Sequence, residues 1–197
     1  MKPSYIFVDT DRARAGSPFM RAARAIEQWA PVDPIAAALG RLSDAVAIPA
    51  LRGDWLGHAL HPMLTDAAIG LWSASTILDV AGGETSRPAA RRLVGLGLVA
   101  AVPTAVTGLA EWKSLPNRAS RRVATVHAVG NSVVLVLYLR SWLLRRGGRQ
   151  AAGVRWALAG GVLAAGTGYL GGHLSFGLGV GSGERGGTDP ELPEPRT

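Results

Sequence analysis

The chain contains no cysteine. That absence excludes disulfides, thiolate zinc sites, an iron–sulfur cluster held by this chain and covalent c-type haem attachment. A long apolar run at the N-terminus is missing too. Met1 to Arg24 is polar and charged, so no cleavable signal peptide is expected. No nucleophile elbow, phosphate loop or zinc-protease motif is present, which leaves no basis for hydrolase, transferase or nucleotide chemistry. Acidic residues are scarce: 14 Asp and Glu stand against 21 Lys and Arg, a formal charge of +7. A basic balance can signal nucleic acid, but none of the usual motifs accompanies it. Most of the Arg residues lie in the N-terminal arm or at the ends of apolar runs, where lipid headgroups would meet them.

What is present is apolar sequence in blocks. Hydrophobic residues make up 48% of the 197. Ser17 to about Ala30 opens with a Ser-Pro start signal and spaces its apolar residues for an amphipathic helix; a second helix is expected over Pro34 to Val46. Both suit an interfacial or bundle-capping arm, or a soluble arm with no lipid contact. Four longer apolar segments follow, over Pro62–Ala81, Leu93–Ala110, Val123–Leu144 and Val154–Leu178. Each approaches the ~20 residues that cross a hydrocarbon core, and in lipid such segments must be helical. Short links rich in turn residues make neighbours antiparallel.

The expected architecture is therefore all-α: an integral membrane four-helix bundle, up-down-up-down, preceded by an amphipathic helical arm. The expected divisions are an arm over 1–55, a transmembrane domain over 56–181 and a disordered tail over 182–197, with both termini on one side of the membrane. No internal repeat or broken span is evident, which leaves little for a proton-coupled carrier to use.

This topology places all four histidines toward one membrane face, here called the near face. His58 and His61 precede or open the first span, His127 lies about one turn into the third, and His173 about one turn before the end of the fourth. Asp66 and Glu111 lie toward the same face. Neutral imidazoles are common haem and metal ligands, and mixed imidazole–carboxylate sets suit iron, zinc or manganese. Helices one and three are diagonal in a regular bundle, and that wider spacing suits two imidazoles with an iron between them. His61 with His127 is the first choice of pair, with His58 or His173 as substitutes. Asn131, one turn beyond His127, is placed to orient the ring. Asp66, inside an apolar segment, is expected to face the bundle interior. Asp79 reads as a simple cap at the far end. Small residues recur every fourth position at Gly160, Ala164, Gly168 and Gly172, and at Gly97, Ala101 and Ala105. Such stripes serve close helix packing or a flat slot for a macrocycle.

Four phrases carry a resemblance: "GHALHPMLTDAAIGLW" (Gly57–Trp72), "TGLAEW" (Thr107–Trp112), "RRVATVHAVGN" (Arg121–Asn131) and "GYLGGHLSFGLGVG" (Gly168–Gly181). Together they resemble the domain of unknown function 2231 family, a four-helix bacterial membrane domain. The resemblance covers roughly Leu56 to Gly181 and implies a plasma-membrane location. Some members carry a Rieske-type iron–sulfur domain after the fourth helix, which implies electron transfer. Here the tail is instead "GERGGTDPELPEPRT", so a redox partner would be a separate Rieske-type or ferredoxin protein. Ala67-Ala68 replaces an apolar-Pro pair and Glu111 an Asp common in relatives.

Three functional classes follow. One is an electron-transfer module holding haem b through the histidines. The second is a non-haem metal site built from His58, His61, Asp66, Glu111, His127 and His173. The third is a cofactor-free scaffold or assembly subunit whose histidines form a hydrogen-bond network.

Overall fold

A computed structural model describes residues 16–180, and among them there are helices and turns but no strand. The arm consists of α1 (Pro18–Glu27), α2 (Asp33–Ser43) and a single turn, α3 (Pro49–Arg52). Four long helices follow: α4 (Leu60–Ala81), α5 (Arg87–Ala110), α6 (Arg118–Arg146) and α7 (Gln150–Gly172). A π-helical turn, His173–Gly177, continues α7. The long helices overrun most of the apolar segments because their basic ends are good helix formers. Asn117 caps α6 by accepting the Ser120 N–H at 2.9 Å. The tail, with the disorder expected of it, lies outside the described residues.

Two antiparallel hairpins, α4–α5 and α6–α7, are each packed along their length and touch each other more sparingly. α5 contacts α6 and α4 contacts α7, which places α4 and α6 on one diagonal. The outward faces are strongly apolar, with Ile77, Val80, Leu96, Val99, Val102, Val136 and Val162 all exposed. The interior, in contrast, buries Ser75, Thr107, Thr125, Ser141, Arg145 and Thr167. Apolar outside with satisfied polar groups inside is the arrangement that lipid selects. By length and composition two helices are apolar enough to cross a membrane, within Glu84–Ser114 and Arg118–Arg146. α4 and α7 are 22 and 23 residues long. Gly, Ala and Ser together with Asp66, Asp79 and Arg155 dilute their hydropathy.

The packing reveals a repeat that the sequence conceals. Adding 66 to a residue number in α4 gives its counterpart in α6: His61 and His127, Trp72 and Tyr138, Ser75 and Ser141, Asp79 and Arg145. Adding 63 relates α5 to α7: Ala90 and Gly153, Gly97 and Gly160, Thr104 and Thr167, Gly108 and Gly171. Interactions follow the same rule. The Ser75 hydroxyl donates to the Ala90 carbonyl at 2.9 Å and the Ser141 hydroxyl to the Gly153 carbonyl at 2.7 Å. A Cβ on Gly97 would strike the Trp72 indole, and one on Gly160 would press on the Tyr138 ring. The hairpins are thus related by an approximate two-fold axis along the bundle, the parallel kind of internal repeat. The identical counterparts are scattered among unlike residues, so no run of identical residues betrays the repeat.

Counterparts meet on that axis. Trp72 stacks on Tyr138 with centroids 4.0 Å apart and planes 7° from parallel. At the far end Arg145 donates to both carboxylate oxygens of Asp79, at 2.7 and 2.6 Å, with side chains 0% and 2% exposed. Asp79 is therefore no simple cap, and Arg145 does not reach the headgroups. Ser141 accepts from Arg145 Nε at 3.1 Å and completes the pairing.

The arm packs over the near end. Ala23 and Ala36 join Trp112, Leu115, Val123, Ala124, Leu170 and Leu174 in a second apolar cluster. Arg122 anchors the arm, donating to both Asp33 oxygens at 2.8 Å and to the Glu27 carbonyl at 3.2 Å. That guanidinium, through its hydrogen bonds and then its charge, holds the Asp33 carboxyl below its ordinary pKa.

Two outcomes are expected in detergent-solubilised protein. Asp79→Asn, which strands a buried guanidinium, should lower unfolding stability by about 3–5 kcal/mol. The charge exchange Asp79→Arg with Arg145→Asp should recover most of it, because two-fold counterparts have similar surroundings. An exchange variant no more stable than the single variants would refute the pairing. The depressed pKa of Asp33 contributes stability above the ordinary carboxylate range, and that contribution is lost as pH falls through the folded pKa. The thermal midpoint gap between wild type and Asp33→Asn should therefore be widest near neutrality and close below the ordinary carboxylate pKa.

Candidate functional site

At the near end of the axis the counterpart pair is His61 and His127. Their ring centroids lie 6.1 Å apart with planes at 81°. The inward stripe of α4 explains how His61 reaches the axis: His61, Ala68, Trp72, Ser75 and Asp79 fall at spacings of seven, four, three and four. On α6 the corresponding stripe runs through His127, Val134, Tyr138, Ser141 and Arg145 at the same intervals. Gly53, with φ of 78°, turns the chain out of α3 so closely that a Cβ there would collide with the His58 carbonyl. That turn delivers the chain to α4 just ahead of His61.

Each imidazole is bound within its own hairpin. His61 Nδ1 lies 2.8 Å from the Thr104 carbonyl and His127 Nδ1 2.8 Å from the Thr167 carbonyl. A carbonyl only accepts, so both Nδ1 atoms carry the proton and Nε2 is the acceptor position of each neutral ring. Thr104 and Gly108, and likewise Thr167 and Gly171, sit one turn apart and form a seat for the ring. A Cβ on Gly108 would lie 2.7 Å from His61 Nδ1, and one on Gly171 3.1 Å from His127 Cε1. Glycine is required at Gly108 for that close approach.

The two rings differ at Nε2. The Asn131 amide donates to His127 Nε2 at 3.0 Å, and the Thr167 hydroxyl donates to the Asn131 side-chain oxygen at 2.8 Å. His127, Asn131 and Thr167 thereby close a cycle in which every polar atom has a role. Thr65, the counterpart of Asn131, donates instead to the His61 carbonyl at 2.8 Å. His61 Nε2 has no hydrogen-bond partner among the described residues.

The remaining expected site residues are dispersed. His58 is exposed in the turn before α4. His173 turns toward the arm, with Nε2 2.7 Å from a Glu27 oxygen. Glu111 accepts the His61 backbone N–H at 3.4 Å, so it supports the start of α4. Asp66 lies on the exposed face, not in the interior. It stands two residues before Ala68 on the inward stripe, a rotation of about 200° around the helix. Among the described residues no three His, Asp or Glu side chains gather in a metal-binding group.

The expected small-residue stripes also shift. Gly97, Ala101, Gly160 and Ala164 pack inside, but Ala105 is exposed and Cβ atoms on Gly168 and Gly172 would meet nothing within 4 Å. Steps of four residues drift about 40° per turn away from a face. The inward row of α7 instead passes through Gly153, Ala157, Gly160, Ala164, Thr167 and Gly171. Thr104 and Thr167 are missed in the sequence because each binds its imidazole through a main-chain carbonyl, although the Thr167 hydroxyl also serves Asn131. Their only signal is the spacing shared with Gly108 and Gly171.

Residues 57–184 match the family described as a predicted membrane protein, DUF2231. No curated protein and no solved structure matches the chain.

Proposed function

The chain belongs to the DUF2231 family of predicted membrane proteins, and from that premise we propose a four-span electron-transfer module that holds haem b between His61 and His127. The observation that carries the reading is the two-fold imidazole pair, whose ring centroids lie 6.1 Å apart. Two Nε2 atoms bonded to one metal at about 2 Å each would bring the ring centres to about 6 Å. Nδ1 protons committed to the Thr104 and Thr167 carbonyls fix both tautomers and raise the basicity of Nε2, as outer partners do for ligating histidines. The group would supply one-electron redox chemistry.

The chain's own residues do the rest. Glycines at 108 and 171 let the ring edges approach the neighbouring helices closely. A flat ligand would enter between the hairpins, whose mutual contact is sparing, and the outward-drifting Gly168 and Gly172 would not line it. Asn131 holds the His127 nitrogen that a metal would take, so it must release that atom on loading. The arm, latched through Arg122 and through Glu27 with His173, covers the near end and limits water there. A separate Rieske-type or ferredoxin partner would meet the module at this face. On this reading the protein resides in the bacterial plasma membrane with both termini on one side.

A second reading, the cofactor-free scaffold, draws on the closed cycle of His127, Asn131 and Thr167, which satisfies the ring without any ligand. A non-haem ion has less support, since only two of its six expected ligands come together.

Expression in haem-sufficient cells, purification in detergent, and a pyridine haemochrome assay with elemental analysis separate the three. Electron transfer predicts a Soret band and haem near one per chain, lost in His61→Ala and in His127→Ala but kept in His58→Ala and His173→Ala. Folded protein without haem but with stoichiometric zinc, iron or manganese assigns the non-haem class. Folded protein with neither, in which His127→Ala and Asn131→Ala lower only the thermal midpoint, overturns the proposal in favour of the scaffold.

A further inference from the structure

At the far end of the bundle, α5 and α6 enclose a depression of about 410 Å³ lined by Arg91, Arg92, Trp142 and Arg146. Its charge is uncompensated. None of the three arginines has an ion-pair partner among the described residues, and no acid lines the cavity. A neighbouring depression of about 670 Å³ is different. There Glu84 pairs with Arg87 at 2.6 Å, and Asp79, also in the wall, is taken by Arg145.

Trp142 forms the floor. The Arg146 guanidinium sits 4.7 Å above the indole, and a Cβ on Gly95 would lie 2.8 Å from its Nε1. The indole therefore rests on the α5 backbone where only glycine allows it, and its cation–π contact presents Arg146 to the cavity. The two-fold axis makes the asymmetry explicit. The counterparts of Arg91, Trp142 and Arg146 are Val154, Thr76 and Val80, so only Arg92 has a basic counterpart, Arg155. Three of the four lining residues belong to this hairpin junction alone.

Below the cationic cup both helices turn apolar. Leu96 and Val99 follow Arg92 at spacings of four and three, and Leu139 and Val136 precede Trp142 at spacings of three; all four are exposed. We infer that this junction binds the phosphodiester headgroup of an anionic phospholipid, with the guanidiniums of Arg91, Arg92 and Arg146 on the phosphate and the acyl chains along the Leu96–Val99 and Leu139–Val136 ridges. Guanidinium forks match phosphate oxygens, and a basic pocket between helices at a membrane boundary is where such headgroups bind. The apolar track selects lipid over free phosphate. This assignment rests on α5 and α6 lying in a bilayer and stands apart from the imidazole pair.

The test uses the full chain in non-ionic detergent, with phosphatidylglycerol, phosphatidylcholine or inorganic phosphate as probes. Bound lipid is read by native mass spectrometry. Wild type should retain phosphatidylglycerol over phosphatidylcholine. Arg91→Gln/Arg92→Gln/Arg146→Gln should lower that retention by about tenfold or more, while Arg149→Gln/Arg155→Gln in the neighbouring depression should not. Arg146→Gln alone, a change at the cavity rim, should lower it measurably and serves if the triple variant does not fold. Equal retention of the two lipids, unchanged retention in the Arg146 variant, or full displacement of phosphatidylglycerol by millimolar phosphate would each overturn the assignment.

Discussion

The bundle depends on three pairs of side chains stacked along one axis: Asp79 with Arg145, Trp72 with Tyr138, and His61 with His127. In water these polar tips could be left to solvent. In a bilayer each must find a partner inside the protein. The two-fold arrangement supplies that partner for Asp79 and Arg145, whereas Trp72 Nε1 donates to the Val94 carbonyl and the imidazoles to the Thr104 and Thr167 carbonyls within their own hairpins. The hairpins are held internally by Ser75, Ser141 and the threonine carbonyls. One hairpin is aligned against the other by the axial pairs together with the α5–α6 and α4–α7 contacts.

Strict symmetry would be unworkable at one of the three levels and is relaxed at a second. Two aspartates or two arginines at the far end would repel in a medium where such repulsion is barely screened. Unlike charges at counterpart positions turn that conflict into a bidentate pair. They also favour pairing of the two unlike hairpins over pairing of either hairpin with its copy from another chain. At the near end the departure is milder: Thr65 opposite Asn131 leaves one imidazole nitrogen bound and the other open. The aromatic level tolerates likeness, since stacked rings are mutually attractive and worth about 0.5–1.5 kcal/mol beyond their burial.

The sequence made helices legible because apolar blocks of span length and short turn-rich links admit few alternatives. It also made the diagonal neighbourhood of His61 and His127 legible, since up-down topology forces α4 and α6 onto one diagonal. Three other placements differ from expectation for identifiable reasons. Asp66 seemed an interior group because it lies in an apolar segment, but helical phase decides which way a residue faces, and Ala68 and Trp72 set that phase. Asp79 seemed a mere cap because its partner is 66 residues away and reads as a headgroup-facing arginine. His173 was grouped with the other imidazoles by membrane depth, although depth says nothing of direction. The repeat escapes a sequence reading because its identical pairs, such as His61 with His127 and Gly97 with Gly160, stand singly among unlike ones such as Trp72 with Tyr138 and Asp79 with Arg145.

The open and the bound imidazole together say more than either alone. A network built only for rigidity gains by satisfying every atom, as His127, Asn131 and Thr167 do. Its counterpart ring has the same seat, the same carbonyl and the same glycine, yet Thr65 turns its hydroxyl to the His61 carbonyl and cannot serve the ring as Asn131 does. His61 is held at Nδ1, while its Nε2 has no partner among the described residues and is not sealed inside the protein. On the proposed reading, a ring fixed by its outer partner and open at the other nitrogen would be prepared for a group between the hairpins. On the proposed haem reading the Asn131 amide would hold the second position until the group arrived; what the structure holds is one imidazole nitrogen bound by Asn131 and its counterpart without a partner among the described residues.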